Sequence, residues 1–273
     1  DRPSLGAIEQ RCSEHVRSLG KAELSKLVWA FGTCGLRDPH FFGEVAGQVL
    51  LWRRSLLPHD LATIAWGFAR QSVKEEALFH AIVEEAQQKL REFIPQGMSN
   101  LAWAFAKIDF EAPELLHDVM DQALTRLPEF KPQELSNLAW AAGAARMHHG
   151  DLFDGVAEIA VAMAGRFKPQ ELANVAWAFA RLSVKSPHLA RVVSEEARAK
   201  LGGFAPQGLA NLLWAFARWS DGSASEADAA EAVALAEATA AEVTSGIHAF
   251  KPQELSNILW AHATLAVHEE KLL

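Results

Sequence analysis

The chain has 273 residues, of which 50% are hydrophobic and 22% are charged, and its formal net charge is −8. This composition is typical of a folded protein and excludes a disordered one. No apolar run approaches the ~20 residues that a membrane span needs, so we expect no membrane partner. The two cysteines, Cys12 and Cys34, are too few for a disulfide framework, and we expect both to be reduced.

The negative charge is concentrated in one part of the chain. Six acidic residues lie in a stretch without Lys or Arg: Asp221, Glu226, Asp228, Glu231, Glu237 and Glu242. Without these six the net charge would be −2 (−8 + 6), so the rest of the chain is nearly balanced. The charge therefore argues against a strongly basic surface, while it leaves room for local cationic patches.

One tryptophan recurs at a fixed spacing along the whole chain. It occurs at Trp29, Trp66, Trp103, Trp140, Trp177, Trp214 and Trp260. The first five intervals are 37 residues each and the last is 46, so nine residues have been inserted near 221–232. A fixed period of this length is typical of helical repeats, each of which buries its apolar face against its neighbours. The sequence predicts an all-α, right-handed α-solenoid of about seven 37-residue helix-turn-helix repeats.

Each repeat is predicted to contain two helices, A and B. Helix A begins at a proline, because the first helical position needs no N–H: Pro58, Pro95, Pro132, Pro169, Pro206 and Pro252. In four repeats an acid follows within the first turn, where it favours the helix dipole, whereas Gly97 and Gly208 take that position in two and should let those helices fray. A phenylalanine ten residues before each Trp, such as Phe93 or Phe167, is expected to fill the gap between helix B and the next helix A.

The array is predicted to fill residues 21–273. Residues 1–20 carry the pattern of the second helix of a preceding partial repeat, ended by Gly20. The insertion near 221–232 is expected to lengthen a turn and the helix B that follows it. Because the chain opens at Asp1 and stops at Leu273, where the pattern begins another helix, we expect it to be a trimmed piece of a longer protein.

Helix A has one face that is more uniform than solvent requires. At 100° per residue, Leu172, Val175 and Phe179 lie on the core side of the helix, opposite the Trp. The side that carries the Trp holds the same residue types in several repeats: Gln170, Asn174, Trp177 and Arg181; Gln96, Asn100, Trp103 and Lys107; Gln207, Asn211, Trp214 and Arg218. Beside this stripe a small residue alternates between Ser and Ala.

Two accounts of this face are open. In a structural account, the Asn side chains hydrogen-bond from one helix A to the next and the Trp rings wedge between these helices. In a functional account, the amides line a groove and read base edges, while a column of cations (Arg70, Lys107, Arg181 and Arg218) holds phosphates. We interpret the Trp as packing and the cations as functional, and we leave the amides undecided.

The motif FKPQELSNLAWA at 130–141, its 37-residue period and its helix pairs resemble the heptatricopeptide and octotricopeptide repeats. The resemblance covers nearly the whole chain from Lys21 onward. It implies a protein of RAP-associated type that binds single-stranded RNA in a mitochondrion, or alternatively a plastid. Carried over by resemblance and by the stripe, the RNA-binding residues are Gln96, Ser99, Asn100, Lys107, Gln133, Ser136, Asn137, Gln170, Asn174, Arg181, Gln207, Asn211, Arg218, Gln253 and Asn257.

Several positions depart from this pattern. In the first two repeats Lys26 and Thr63 replace the Asn, and in the fourth and seventh Ala144 and Thr264 replace the cation. We therefore expect RNA contact to be strongest across the third, fifth and sixth repeats. Because the amides hardly vary, we expect loose sequence selectivity.

No enzyme constellation, metal site or cofactor site is predicted. His148 and His149 are adjacent, so on a helix they point about 100° apart and do not form an i, i+4 metal pair. The sequence contains no glycine-rich phosphate loop. We expect a non-enzymatic RNA-binding protein without a cofactor, acting in organellar RNA processing or translation. A plausible setting by resemblance is a mitochondrial ribosome, in which it would hold ribosomal RNA pieces beside ribosomal or RNA-processing proteins. The alternative is a protein-interaction scaffold in an organellar complex, which the near-balanced charge of the repeats favours.

Overall fold

The computed structural model describes residues 10–220 and 226–265. These residues form helix pairs joined by short turns, with no strand in either range. The A helices are α1 (Lys21–Cys34), α3 (Pro58–Arg70), α5 (Pro95–Lys107), α7 (Pro132–Ala144), α9 (Pro169–Arg181), α11 (Pro206–Trp219) and α13 (Pro252–Thr264). The B helices are α2 (Pro39–Trp52), α4 (Glu76–Lys89), α6 (Pro113–Leu124), α8 (Gly150–Ala162), α10 (Pro187–Ala199) and α12 (Glu226–Ser245). The predicted all-α helical-repeat fold is confirmed.

The chain divides into two compact units, residues 1–125 and 126–273. In the first unit α1, α3 and α5 pack side by side in one layer, while α2, α4 and α6 form a second layer. In the second unit α7, α9, α11 and α13 form the first layer, and α8, α10 and α12 form the second. The odd-numbered helices are therefore the closely packed layer of each unit.

The segment before α1 contributes to the second layer of the first unit. Residues 10–15 are helical and lead into a 3₁₀ turn, Val16–Ser18, which packs against α2. Arg17 Nη2 donates a hydrogen bond to Glu44 Oε1 on α2 at 2.9 Å. The part of the predicted preceding helix within residues 1–9 lies outside the described residues.

The odd-numbered helices start in the way that the sequence predicts. Pro58, Pro95, Pro132, Pro169, Pro206 and Pro252 each occupy the first helical position. Where an acid follows, its carboxylate accepts the backbone N–H of the residue before the proline: Leu57 to Asp60 at 3.2 Å, Lys131 to Glu134 at 2.9 Å, Lys168 to Glu171 at 2.8 Å, and Lys251 to Glu254 at 2.8 Å. The other two helices have glycine there, and a Cβ on Gly97 would lie 3.1 Å from Cδ1 of Phe93. These helices still begin at the equivalent prolines, Pro95 and Pro206.

The odd-numbered helices of five repeats end in a shared turn that the sequence does not announce. A residue just beyond each helix adopts a left-handed backbone with positive φ. It is the first residue after α1 and the second residue after each of the other four helices: Gly35, Ser72, Asp109, Arg146 and Ser183. In each case the following N–H donates to the carbonyl five residues back, as from Val73 to Phe68 at 2.9 Å. This bond is the 6→1 bond of the Schellman motif. Only Gly35 is the glycine that such a position favours.

Phenylalanines fill the space between the two helix layers. Phe68 and Phe105 in the first unit and Phe179 in the second are fully buried. The predicted link phenylalanines Phe93, Phe130 and Phe167 are buried as expected, while Phe204 and Phe250 are half-buried.

The insertion lengthens a helix. Helix α12 has 20 residues, whereas the other even-numbered helices have 12 to 14. The predicted longer turn lies at residues 221–225, outside the described part. Glu231 of α12 forms an ion pair with Arg198 of α10 at 2.6 Å, which links the long helix to its neighbour in the second layer. None of the described helices has the length and apolar character that a bilayer crossing needs.

Candidate nucleic-acid interface

Tryptophans of the middle repeats pack between neighbouring odd-numbered helices, whereas Trp29 and Trp260, in the first and last repeats, are exposed. A Cβ on Gly32 of α1 would lie 2.8 Å from Cζ3 of Trp66, and a Cβ on Gly143 of α7 would lie 3.1 Å from Cζ3 of Trp177. The ring centroids of Trp66 and Trp103 are 6.5 Å apart, and those of Trp140 and Trp177 are 6.1 Å apart. Trp66, Trp103, Trp140, Trp177 and Trp214 are half-buried. The structural interpretation of these residues therefore agrees with the packing inside each unit.

The amide side chains predicted to contact RNA lie on the solvent-accessible side of the same helices, which we call the open face. The glutamines Gln96, Gln133, Gln170, Gln207 and Gln253 are exposed. The asparagines Asn100, Asn137, Asn174, Asn211 and Asn257 are half-buried. In the described ranges no side-chain hydrogen bond links one of these asparagines to a neighbouring helix. The amide ladder that the structural account requires is therefore not formed there, and the amides keep their hydrogen-bonding capacity.

The predicted serines are placed differently from the amides. Ser99 and Ser136 are each only 1% exposed. Ser99 Oγ donates to the Gln96 carbonyl at 3.1 Å, and Ser136 Oγ donates to the Gln133 carbonyl at 3.0 Å. Their hydroxyl groups are thus engaged inside their own helices rather than presented on the exposed stripe.

A cavity of about 140 Å³ lies between α7 and α9, in the second unit. It is lined by Gln133, Ser136, Asn137, Lys168, Gln170, Glu171 and Asn174. The packing of these two helices thus brings the amide pairs of two consecutive repeats to one place. One lining residue, Glu171, is 8% exposed and accepts the backbone N–H of Lys168.

The predicted cations are exposed, and Arg181, which belongs to α9, is not among the residues that line this cavity. Lys107, Arg181 and Arg218 stand at or next to the last residue of their helices and are exposed, as is Arg70. Arg181 follows Asn174 by seven residues. Seven residues correspond to about 10 Å along a helix, or two turns. The cation column and the amides of one repeat are therefore neighbours on the same face, but they are not in one pocket.

A second set of cations, absent from the sequence prediction, lies at the other end of these helices. Lys131, Lys168 and Lys251 directly precede α7, α9 and α13, and all three are exposed. We call these three residues the entry lysines. The equivalent positions are Gly20, Leu57 and Ile94 in the first unit and Ala205 in the second. The sequence does contain a signal for them, because Lys recurs in every FKPQE motif, but that position belongs to the link between helices and not to the stripe on helix A.

The resolved pKa shifts arise from structural pairs and a helix cap. The hydrogen bond from Arg17 lowers the pKa of Glu44, and the hydrogen bond from Arg126 lowers the pKa of Glu129. Burial raises the pKa of Asp38, but hydrogen bonds from Ser13 and from the N–H groups of His40 and Phe41 outweigh it, so the net shift is downward. Each of these carboxylates is thereby held in its charged form by the fold.

Comparison with known proteins supplies a family. A family model described as RNA-editing substrate-binding complex 6 protein matches residues 4–227. No curated protein shows significant similarity to the chain. The match agrees with the coarser expectation of an RNA-associated helical-repeat protein, and it does not identify the heptatricopeptide or octotricopeptide family. Because it covers most of the sequence, the chain belongs to the RNA-editing substrate-binding complex 6 protein family.

Proposed function

We propose that the chain is a non-enzymatic module that holds single-stranded RNA on the open face of its odd-numbered helices. The observation that carries this proposal is the cavity between α7 and α9, where four side-chain amides from two repeats converge beside Lys168. The family description, which names a complex that binds RNA-editing substrates, supports the same ligand class.

The chemistry of the amides suits unpaired bases. A side-chain amide both donates and accepts hydrogen bonds, so Gln170 and Asn174 match the edges of bases that are not already paired. The rings of Trp66, Trp103, Trp140 and Trp177 are engaged in helix packing, so base recognition in these repeats falls mainly to the amides. Since the amide pattern is the same in the last five repeats, the proposed binding is weakly selective for sequence.

The charge distribution suits a strand that lies along one face. RNA affinity depends on contacts between cations and phosphates, each of which releases counterions. The net charge of −8 makes broad attraction to RNA weak, so binding depends on local cations such as Arg181 and Lys168. The predicted interaction is therefore confined to this face and strongly dependent on salt.

The cellular setting is also a proposal. We place the protein in a complex that handles RNA-editing substrates, in a mitochondrion or alternatively a plastid, with other RNA-processing proteins as partners. Kinship with the heptatricopeptide and octotricopeptide repeats and a role in holding ribosomal RNA in a mitochondrial ribosome rest on the repeat resemblance alone. No cofactor and no catalytic step are part of the proposal.

A protein-interaction scaffold is the second candidate function. The net charge of −8 and the family description of a complex favour it. In that case the amide face would bind a partner protein rather than RNA. The two candidates differ in whether the isolated chain binds RNA at low salt.

The first test is binding of a random single-stranded RNA pool, followed by fluorescence polarisation at several salt concentrations. The variant Lys107→Ala, Arg181→Ala, Arg218→Ala should bind more weakly and with a salt slope that is shallower by ~0.7 for each phosphate that is no longer neutralised. The control Arg54→Ala, Arg91→Ala, Arg191→Ala removes the same charge from exposed positions outside the odd-numbered helices. An equal reduction in both variants would place RNA elsewhere, and no binding even at low salt would favour the scaffold.

A further inference from the structure

The exposed lysines that precede the odd-numbered helices of the second unit have no role in the fold that accounts for their charge. Lys168 lines the cavity between α7 and α9, and Lys131 occupies the same position one repeat earlier. We propose that Lys131 and Lys168 hold RNA phosphates at the starts of α7 and α9, with Lys168 at the edge of the cavity and Lys251 continuing the column. The inference rests on the proposed function and adds a phosphate-binding site to it.

Position along the helix makes Lys168 the better candidate for the phosphate of a base in the cavity. Lys168 stands two residues before Gln170, whereas Arg181 stands eleven residues after it. Eleven residues correspond to about 16 Å of helix. A base held by Gln170 and Asn174 would therefore have its own phosphate much closer to Lys168, and Arg181 would meet a different part of the strand.

The backbone and the side chain of each entry lysine have separate roles. The N–H of Lys168 donates to Glu171 at 2.8 Å, and the N–H of Lys131 donates to Glu134 at 2.9 Å. Both carboxylates are 8% exposed and are used by the backbone. Within the described ranges the ammonium groups of Lys131, Lys168 and Lys251 form no ion pair. The cap therefore leaves these ammonium groups available to a ligand.

Two other lysines, Lys89 and Lys200, show the contacts that a lysine with a structural role makes in this fold. The ammonium of Lys89 donates to the carbonyls of Arg54 at 3.1 Å and Leu56 at 3.0 Å. It also pairs with Glu85 at 2.8 Å. Lys200 repeats this arrangement in the second unit, with the Gly165 and Phe167 carbonyls and with Glu196. The entry lysines make no such contacts, so a fold-supporting role does not explain them.

The decisive experiment compares Lys131→Gln, Lys168→Gln with the matched variant Arg166→Gln, Arg191→Gln. Both pairs lie in the second unit, are exposed and change the net charge equally. Binding of a fluorescein-labelled oligouridine would be measured by polarisation at salt concentrations from ~0.05 to ~1 M. The lysine variant should have a salt slope shallower by ~1.4, which is about 25-fold weaker binding at ~0.1 M salt if affinity at ~1 M is unchanged. The arginine control should keep the wild-type slope.

A second variant keeps the positive charge at both lysine positions and so tests whether the charge itself is what binds RNA. Lys131→Arg, Lys168→Arg should keep the wild-type slope, and circular dichroism of all variants checks that they fold. Wild-type binding with an unchanged slope in the lysine variant would overturn the inference and leave the proposed function standing. An equally shallow slope in the arginine control would also overturn it. An absence of wild-type binding would overturn both.

Discussion

The odd-numbered helices of the two units start with the same backbone conformation, but the side chain before the proline is apolar at Leu57 and Ile94 in the first unit and mostly cationic in the second. The residue before the proline is extended in both, with φ −79° and ψ 159° at Leu57 and φ −77° and ψ 159° at Lys168. In the first unit Leu57 is 64% exposed and Ile94 is 55% exposed, whereas the second unit has exposed lysines at three of its four equivalent positions and Ala205 at the fourth.

The difference teaches that the fold does not select this side chain. The cap at this position uses the backbone N–H, which any residue except proline supplies. Ile94 even precedes a helix without the capping acid, because Gly97 stands in its place. Leucine, isoleucine, alanine and lysine are all compatible with the same turn, so a recurring lysine at this position points to a role outside the fold.

The largest expected effect is a loss of stability when a glycine at a close contact between odd-numbered helices is replaced, and it should be larger in the first unit than in the second. A Cβ on Gly67 would lie 2.4 Å from Val28 Cγ1 and 2.8 Å from the Val28 carbonyl oxygen, so Gly67→Ala must push α1 and α3 apart. We expect a decrease of about 3 kcal/mol in the free energy of unfolding of the first unit. Gly143→Ala in the second unit meets Ala178 Cα at 3.0 Å and should cost less, about 1–2 kcal/mol. Urea unfolding followed by tryptophan fluorescence measures both.

The control for these glycines is Gly47→Ala on α2. Nothing lies within 4 Å of a Cβ at Gly47, which is exposed in mid-helix. Alanine should therefore stabilise this helix by about 0.5–1 kcal/mol. A neutral Gly67→Ala would contradict the close approach of α1 and α3, and a destabilising Gly47→Ala would contradict the open surroundings of Gly47.

The next effect would make the first unit resemble the second. Leu57→Lys, Ile94→Lys places two cations at the positions that correspond to the entry lysines. If these positions contact RNA, affinity should rise and the salt slope should steepen by up to ~1.4. The same polarisation assay measures it, with Leu51→Lys on α2 as a control because that side chain is 76% exposed and lies in the other layer. If Leu51→Lys alone raised RNA affinity by half as much as the double variant, the gain would come from general attraction between added positive charge and RNA, and not from these positions.

A smaller effect concerns the turns that both units share. Ser72 and Asp109 in the first unit, and Arg146 and Ser183 in the second, have φ between 52° and 56°. Glycine adopts this backbone without steric cost, so each change to glycine should stabilise the protein by about 0.5–1 kcal/mol. Gly35→Ala should have the opposite sign. Thermal unfolding of the single variants tests the series, and a destabilising Ser72→Gly would contradict the turn geometry.

The smallest effect is the pH dependence that Asp38 contributes to the stability of the first unit. Asp38 caps α2 by accepting the His40 N–H at 2.9 Å, and its pKa lies below its ordinary value of 3.8. A lowered pKa means that the stabilisation is complete at neutral pH and is lost as the pH falls below about 4 and through the lowered pKa. Asp38→Ala should cost about 1 kcal/mol at pH ~7. Urea midpoints at pH ~7 and at pH ~2 should differ between variant and wild type only at the higher pH.

Much of the fold follows from local sequence, because the period and the prolines act locally. Pro132 and Glu134 specify where α7 begins, and the apolar spacing of Leu172, Val175 and Phe179 specifies the buried side of α9. The left-handed residues were not predictable in this way. Arg146 and Ser183 have no preference for positive φ that would mark them, and the turn is imposed by the packing of the helices on either side.

The candidate site was predictable only in part. The placement of Gln170 and Asn174 on the open face follows from helical periodicity. The engagement of the Ser136 hydroxyl depends on how deeply α7 is packed against its neighbours, which periodicity does not specify. The entry lysines were missed because a residue outside a helix has no angular position in a helical pattern, and only the packed helices bring Lys168 to the cavity.

The paired tryptophans also give each unit an optical reporter. The chain contains no tyrosine, so its ultraviolet emission comes from indole groups. Indoles at centroid distances of 6.5 Å in the first unit and 6.1 Å in the second are close enough for exciton coupling, which produces a circular-dichroism couplet distinct from that of the helical backbone. Disappearance of the couplet reports that neighbouring repeats have separated, while the backbone signal reports that helices have melted. Replacing Trp103 or Trp140 with phenylalanine would assign the couplet to one unit or the other, and each unit could then be followed by light alone.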